Sequence, residues 1–423
     1  MRVSTTSLLF FLATLIPSGY GWAFDSQSQN IRISGFATLG YTRSGSENLG
    51  FRRHIDQQGV FDGDGSLSSD SIIGLQLDYN ANDALSAGIQ LVGKDRADNS
   101  VENSIEWAYV GYKWGNQWQL RAGRVGYDAM LSSEYRNVGF AHLWVRPPVE
   151  YYTFVTFFSL DGADLTWTQP IGQGTLRLKA LAGRSKNNTV YFGQVQELEL
   201  ENIYGLNIGW ESDQWRFRFS TIRHDYVLPG NSFLGYDQLV NALNQVSNLW
   251  PAAAQYADQL ILDNNQLRYY GLGTAYFNHP WQVQSEISYT DSRIHSYPSQ
   301  MGGYLSIGYQ IKQITPYVLV AAAKSEGNAD LIPSPQGIPG NPTLNDNLLM
   351  LHQSVQGSSD IRNTDQTRVS IGLRWDFYHH LALKAQIDHS QVGQHGYSIW
   401  DIRTPPPKDQ SINTLSLALD WLF

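Results

Sequence analysis

The 423-residue chain contains no cysteine, so no disulfide can brace it and the fold must be held by other means. Past its first residues it also lacks any run of the roughly 18 consecutive apolar residues that a membrane-spanning helix requires. A bundle of transmembrane helices is thereby excluded. A basic surplus is missing as well: 29 Lys and Arg stand against 38 Asp and Glu, which argues against nucleic acid as a partner. What the chain has in quantity is 24 Tyr, 13 Trp, 17 Phe and 38 Gly, a load suited to many strands with an aromatic surface. A negative mean hydropathy fits this reading, because a β-barrel spreads its apolar residues by alternation.

At the start, Arg2 supplies a positive charge, Leu8 to Ile16 is a short apolar run, and Gly21-Trp22-Ala23 puts small residues at cleavage positions. This predicts a secretory signal peptide over residues 1–23, with the mature chain beginning at Phe24. Removing it leaves 28 Lys and Arg against 38 Asp and Glu, a net charge near −10.

Period-two alternation dominates the remainder. Ile31, Ile33, Ala37, Leu39 and Tyr41 fall on one face, and Arg32, Ser34, Thr38 and Gly40 on the other. Ile73, Leu75, Leu77 and Tyr79 alternate with Gly74, Gln76 and Asp78, and the pattern resumes at Leu85 after a turn at Asn80-Ala81-Asn82-Asp83. One opening strand, seven hairpins and one closing strand predict sixteen strands, an even number as single-chain bacterial barrels have. Long loops at 43–70, 94–103, 124–152, 184–201, 224–267, 291–301, 324–367 and 390–413 all fall on one side. Short periplasmic turns and long external loops are the layout of an outer-membrane barrel. Tyr79, Trp114, Trp118, Trp210, Trp215, Trp281 and Trp375 lie beside the short turns, as an interfacial girdle would. The fold class expected over 24–423 is all-β, a transmembrane antiparallel β-barrel.

Opposite the apolar stripes stand Arg121, Arg177, Lys179, Arg216, Arg218, Arg368, Arg374 and Lys384. A charge facing lipid at the bilayer midplane costs about 2–4 kcal/mol, so these are expected to face the lumen. Sixteen strands enclose enough width for an aqueous channel. Residues 124–152 are too aromatic and apolar for a disordered linker, and structureless loops of this length are usually functional. This stretch is expected to fold into the barrel and narrow it.

The last strand carries a further signal. Phe423, Trp421, Leu419, Leu417 and Leu415 point one way, and Leu422, Asp420, Ala418, Ser416 and Thr414 the other. Here the chain resembles Gram-negative outer-membrane proteins, whose barrel-insertion machinery reads a terminal Phe and alternate apolar residues; Phe423, Trp421 and Leu419 are the implied assembly signal. With its third long loop after the fifth strand, the mature chain resembles the general porins of Gram-negative bacteria. Trp144-Val145-Arg146-Pro147-Pro148, followed by Glu150 and Tyr151, looks like a gammaproteobacterial subgroup of them. The resemblance implies a homotrimer among outer-membrane lipid and lipopolysaccharide, passing small hydrophilic solutes by passive diffusion. It also implies a constriction in which acids of the third loop, Asp128, Glu134 and Glu150 beside Arg146, face a basic wall of Arg121, Arg177, Lys179, Arg216 and Arg218. Family arginines cluster on early strands, whereas strands two and three here present Gln76 and Gln90, which leaves the direction of the field open.

Two other readings compete with general diffusion. A substrate-selective channel for a sugar or small anion could use Tyr127, Tyr135, Phe140 and Trp144, and an adhesin barrel could use the long loops at 224 and 324. An enzyme is disfavoured: His142 has no Ser two positions on, as barrel phospholipases have, and no nucleophile–base pair stands out elsewhere. No cofactor or metal is expected, since Asp62-Gly63-Asp64-Gly65 lacks the ligand series of a calcium loop. Leu239, Leu243, Val246 and Leu249 have helical spacing, and Pro333, Pro335, Pro339 and Pro342 predict an extended, mobile loop.

Overall fold

The computed structural model describes residues 30–153, 157–191, 194–227, 236–260, 266–294, 297–326, 333–360, 362–404 and 409–423. The expected signal peptide lies outside them, as do residues 154–156 at the expected start of the sixth strand. Sixteen strands form the barrel: β1 Ile31–Ser44, β2 Ile72–Asn80, β3 Leu85–Lys94, β4 Ile105–Trp114, β5 Trp118–Gly126, β6 Ser159–Ile171, β7 Gly174–Tyr191 and β8 Gln194–Ser212 in the first half. The second half is β9 Trp215–Val227, β10 Gln266–Asn278, β11 Trp281–Ser292, β12 Gln300–Tyr309, β13 Ile314–Ser325, β14 Thr364–Tyr378, β15 Leu381–Tyr397 and β16 Gln410–Leu422. Each pairs antiparallel with its neighbours in the chain, and β1 closes on β16 from Phe36↔Leu422 to Ser44↔Thr414. At the seam Gly35 and Phe423 exchange backbone hydrogen bonds of 2.7 and 3.0 Å, so the final residue completes the ladder. Closure leaves no edge to pair with another chain.

The side chains are sorted in the reverse of a soluble protein. Along β13 every second residue is exposed, and the outward set includes Val318 and Val320. Ile371, at the centre of β14, is 65 % exposed, while its inward neighbour Ser370 is fully buried. Near the short turns Trp114 stacks on Trp118 at 5.8 Å and Trp118 approaches Trp167 at 6.4 Å, forming part of the expected aromatic band.

Two loop expectations are corrected. Residues 184–201 are largely strand: β7 and β8 run on past the barrel body and pair as far as Tyr191↔Gln194. Glu197, Leu198, Glu199 and Leu200 continue the period-two alternation, which supports a strand. The proline-rich loop carries a helix, Pro342–Asp360, where an extended chain was expected. Proline suits a first helical position because its missing N–H has no partner there anyway. Asn341 caps the helix by accepting from the Leu344 N–H at 3.2 Å. The helical spacing after residue 236 does give helices, Tyr236–Val246 and Ala252–Leu260, whose buried Leu243, Ala253 and Ala257 join the apolar packing at the long-loop end.

An Ile371→Arg substitution places a charge at mid-strand on the lipid wall. The expected loss is about 2–4 kcal/mol of folding free energy, read as a lower urea midpoint for folding into phosphatidylcholine vesicles. Ile371→Leu serves as the control and should leave the midpoint in place.

Candidate functional site

After Gly126 the chain turns inward and crosses the lumen before β6 begins at Ser159. Among its described residues the regular structure is two 3-10 turns, Ser133–Tyr135 and Gly139–Ala141, and one helical turn, Val149–Tyr152. A segment with so little internal hydrogen bonding must be held by the wall. The wall holds it on two flanks.

On the first flank Asp128 sits 2.6 Å from Lys179 and in contact with Arg218. Glu134 lies 2.9 Å from Arg177, 2.8 Å from Lys179 and 4.0 Å from Arg121, whose main partner is Asp164 at 2.6 Å. Burial alone would raise the two loop carboxyls. Lys179, Arg218 and Arg177 outweigh it, holding Asp128 below and Glu134 well below the usual carboxylate range. The sequence therefore brings together the expected acids and most of the expected bases. They meet at contact distance, not across an open gap. Arg216 is apart from them, 2.6 Å from Glu211 at the short-turn rim.

The second flank is buried. Arg146 is 1 % exposed and lies 2.7 Å from Asp70 and 3.2 Å from Asp388, with donated bonds to Thr42 at 3.0 Å and to Ser416. Glu150 accepts from Gln366 at 2.5 Å and stands 2.8 Å from Arg368, which is itself 3.4 Å from Asp388. Lys384 donates to the carbonyls of Gly139 (2.7 Å) and Trp144 (2.9 Å) and lies 2.8 Å from Asp420. Arg374 reaches the Phe140 and His142 carbonyls at 2.7 and 2.8 Å. A Cβ on Gly139 would come within 2.1 Å of Asp420 and 2.3 Å of Thr38, so only glycine lets the loop approach the seam this closely. Arg146 and Glu150, expected at an aperture, are thus buried anchors whose counterparts in the wall are Asp70, Asp388 and Arg368, while Lys384 holds the carbonyls of the loop between them.

Several residues were not singled out from the sequence. Glu286 accepts from the Leu131 N–H, Tyr152 and Tyr304 at 2.8, 2.5 and 2.7 Å, and Ser306 accepts from the already noted Trp144 at 2.6 Å. The first long loop packs beside the inserted one, with Arg53 donating to the Arg136 carbonyl at 3.3 Å, and Lys94 at the end of β3 joins Arg136 against the Phe158 ring, at 3.2 and 3.6 Å. The consecutive Arg52-Arg53-His54 in a loop was the available signal. Among the described residues no cluster of three metal-ligating side chains occurs.

No family model and no curated protein matches the sequence. Solved structures do. The outer membrane channel DcaP of Acinetobacter baumannii aligns at a TM-score of 0.52 with 11% identity, over 94% of this chain and 98% of that one. The fold is that of the outer-membrane porins. The outer-membrane OmpT of Vibrio cholerae has the same porin-type fold (TM-score 0.51, 10% identity, 94% and 99% covered). So does an anion-selective porin from Comamonas acidovorans (TM-score 0.50, 10% identity, 93% and 99% covered). At such identities the likeness is one of fold.

Removing one partner of a buried ion pair costs about 3–5 kcal/mol because the other charge is left uncompensated. Arg146→Ala is expected to lower stability by that order and to open the inserted loop to protease, with cleavage between residues 128 and 150 as the readout. Asp70 follows a pH rule: burial would raise its carboxyl, but Arg146 holds it below the ordinary value. A depressed folded pKa contributes stability that is full above the unfolded value near ~3.9 and is lost as pH falls through the folded one. Protease resistance of the loop should therefore hold from pH 7 to 5 and fall below about pH 4. In Asp70→Asn it should be lower throughout and less pH-dependent.

Proposed function

We propose that the chain is an outer-membrane porin through which small hydrophilic solutes pass by diffusion, without energy coupling and without catalysis. One observation carries this reading: the inserted loop crosses a lumen lined with charge and is fixed to it by ion pairs, while part of that charged lining stays exposed. Arg177 and Glu134 keep 36% and 33% of their side-chain surface exposed, and Arg216 keeps 42%. Such a passage suits small, hydrated solutes. The absence of a catalytic role is supported by His142, which burial holds at about 3 and whose hydrogen-bond neighbour is the Arg136 carbonyl at 3.4 Å. A neutral, buried imidazole without a nucleophile beside it has no base work to do. Assembly as a homotrimer belongs to the same proposal, on the family layout of strands and loops.

A second reading, a channel selective for small anions, draws on the wet flank alone. Arg121, Arg177, Lys179 and Arg218 outnumber Asp128, Glu134 and Asp164 there by a single charge, while Arg216 at the short-turn rim is matched by Glu211.

The refolded protein in a planar bilayer under a salt gradient tests both. Conductance steps in groups of three with weak selectivity are the expected result, with a reversal potential of the sign of mild anion preference. Arg177→Gln with Arg216→Gln should shift that potential toward cations. A folded protein that passes no current would overturn the diffusion reading.

A further inference from the structure

Between the inserted loop and the long-loop ends of β8 to β11 lies a cavity of about 80 Å³. A single water needs about 10–15 Å³, so the space is that of roughly six waters or one six-membered ring. Its walls differ from the charged flanks. Among the described residues no Asp, Glu, Lys or Arg lines it. Five aromatic rings do: Tyr127 and Phe157 from the inserted segment, Tyr226 from β9, Tyr269 from β10 and Tyr297 from the loop before β12. Leu198, Leu200 and Ile399 fill between them.

Most polar atoms around the cavity are committed elsewhere. The Tyr127 hydroxyl lies 3.4 Å from His224 Nδ1, and the Tyr269 hydroxyl 2.9 Å from that of Tyr151. Thr189 donates to the Ile55 carbonyl at 3.3 Å, and Thr153 to the Arg53 carbonyl at 3.5 Å. What Tyr127 and Tyr269 offer inward is therefore ring surface. Gln300 is the exception. It is 2 % exposed and its Nε2 donates to the Tyr297 hydroxyl at 2.8 Å. Its Oε1 is the one buried side-chain oxygen or nitrogen, among the described lining residues, with no hydrogen-bond partner. A tyrosine hydroxyl can donate or accept, so one end of this amide stays open whichever way it is turned. Buried polar groups are rarely left so.

A ring-sized, mostly apolar hollow with one open hydrogen-bonding group is complementary to a planar ring that carries one hydroxyl. Edge-on and offset contacts with the surrounding rings favour an aromatic guest. A sugar is a poor match, since its several hydroxyls would find too few partners, and an ionised solute would have its charge left uncompensated. We infer that this cavity binds a small, uncharged hydroxyaromatic solute of the size of phenol, with its ring among Tyr127, Phe157 and Tyr269 and its hydroxyl on Gln300. The site lies beside the ion-paired flanks and does not require that the barrel conduct.

Fluorine NMR of 4-fluorophenol added to the detergent-refolded full barrel tests the site. The expected result is a saturable bound signal of one equivalent per chain, displaced by unlabelled phenol. Gln300→Met keeps the volume and removes the open hydrogen-bonding end. In that variant affinity should fall about tenfold, while fluorobenzene, which has no hydroxyl, binds as it does to the wild type. Leu200→Trp fills the cavity and should abolish binding of both. Gln282→Met, at the short-turn end of β11, should change neither. Heat-modifiable gel mobility verifies that each variant is folded. The assignment would be overturned by the lack of any saturable signal beyond partition into micelles, or by equal affinity in Gln300→Met. Displacement by benzoate or glucose as effective as that by phenol would overturn it too. A barrel that conducts without binding 4-fluorophenol loses this site and keeps the diffusion reading; one that binds it without conducting does the reverse.

Discussion

Arg146 is a full charge buried from solvent inside the barrel. A buried cation is tolerable only if acids and hydrogen-bond acceptors surround it. Here the acceptors are Asp70, Asp388, Thr42 and Ser416, from four different places in the chain. The dependence is mutual: with the inserted loop withdrawn, the two carboxylates would face one another across a wall with too few bases. Arg368 between Glu150 and Asp388, and Lys384 against Asp420, extend the same balance along β14 to β16. The loop is less a flap laid inside a tube than the counter-charge that the tube was built around.

That balance also explains why the two flanks differ. The buried flank satisfies its charges with several partners each, and its residues are inaccessible. The wet flank has Glu134 shared among Arg177, Lys179 and Arg121, with water reaching part of the group. Exposed pairs contribute little to stability, so the part-exposed Arg177–Glu134 pair can be rearranged with less consequence for the fold than the buried Lys179–Asp128 pair beside it. Water-exposed charge and buried anchoring are thereby carried by different residues of one loop.

The barrel was legible in the sequence because alternation reports directly on which face meets lipid. Ile371 outside and Ser370 inside follow from a two-residue period that needs no knowledge of partners. Inward direction for Lys179, Arg218, Arg368 and Lys384 was legible by the same rule. Their partners were not, since pairing across a lumen depends on where the loop lies in three dimensions: Arg146 reads like any loop arginine until Asp70 and Asp388 are placed beside it. The extended β7–β8 hairpin was hidden by its polar composition, which resembles a loop once the strand leaves the membrane. The Pro342–Asp360 helix was hidden by prolines that precede and open it and do not interrupt it.

The anchors of the inserted loop have a consequence for the order of assembly. Arg146 waits on Asp388 and Ser416, and Lys384 waits on Gly139, contacts that span some 240 to 270 positions of sequence. Such long-range contacts form late, after the chain between them has been ordered. The last strands to be made therefore supply the groups that seat a segment made in the first third. Sealing the cylinder at β1 and β16 and lodging the loop become one cooperative event, and a barrel left open at its seam would have neither its wall nor its interior complete.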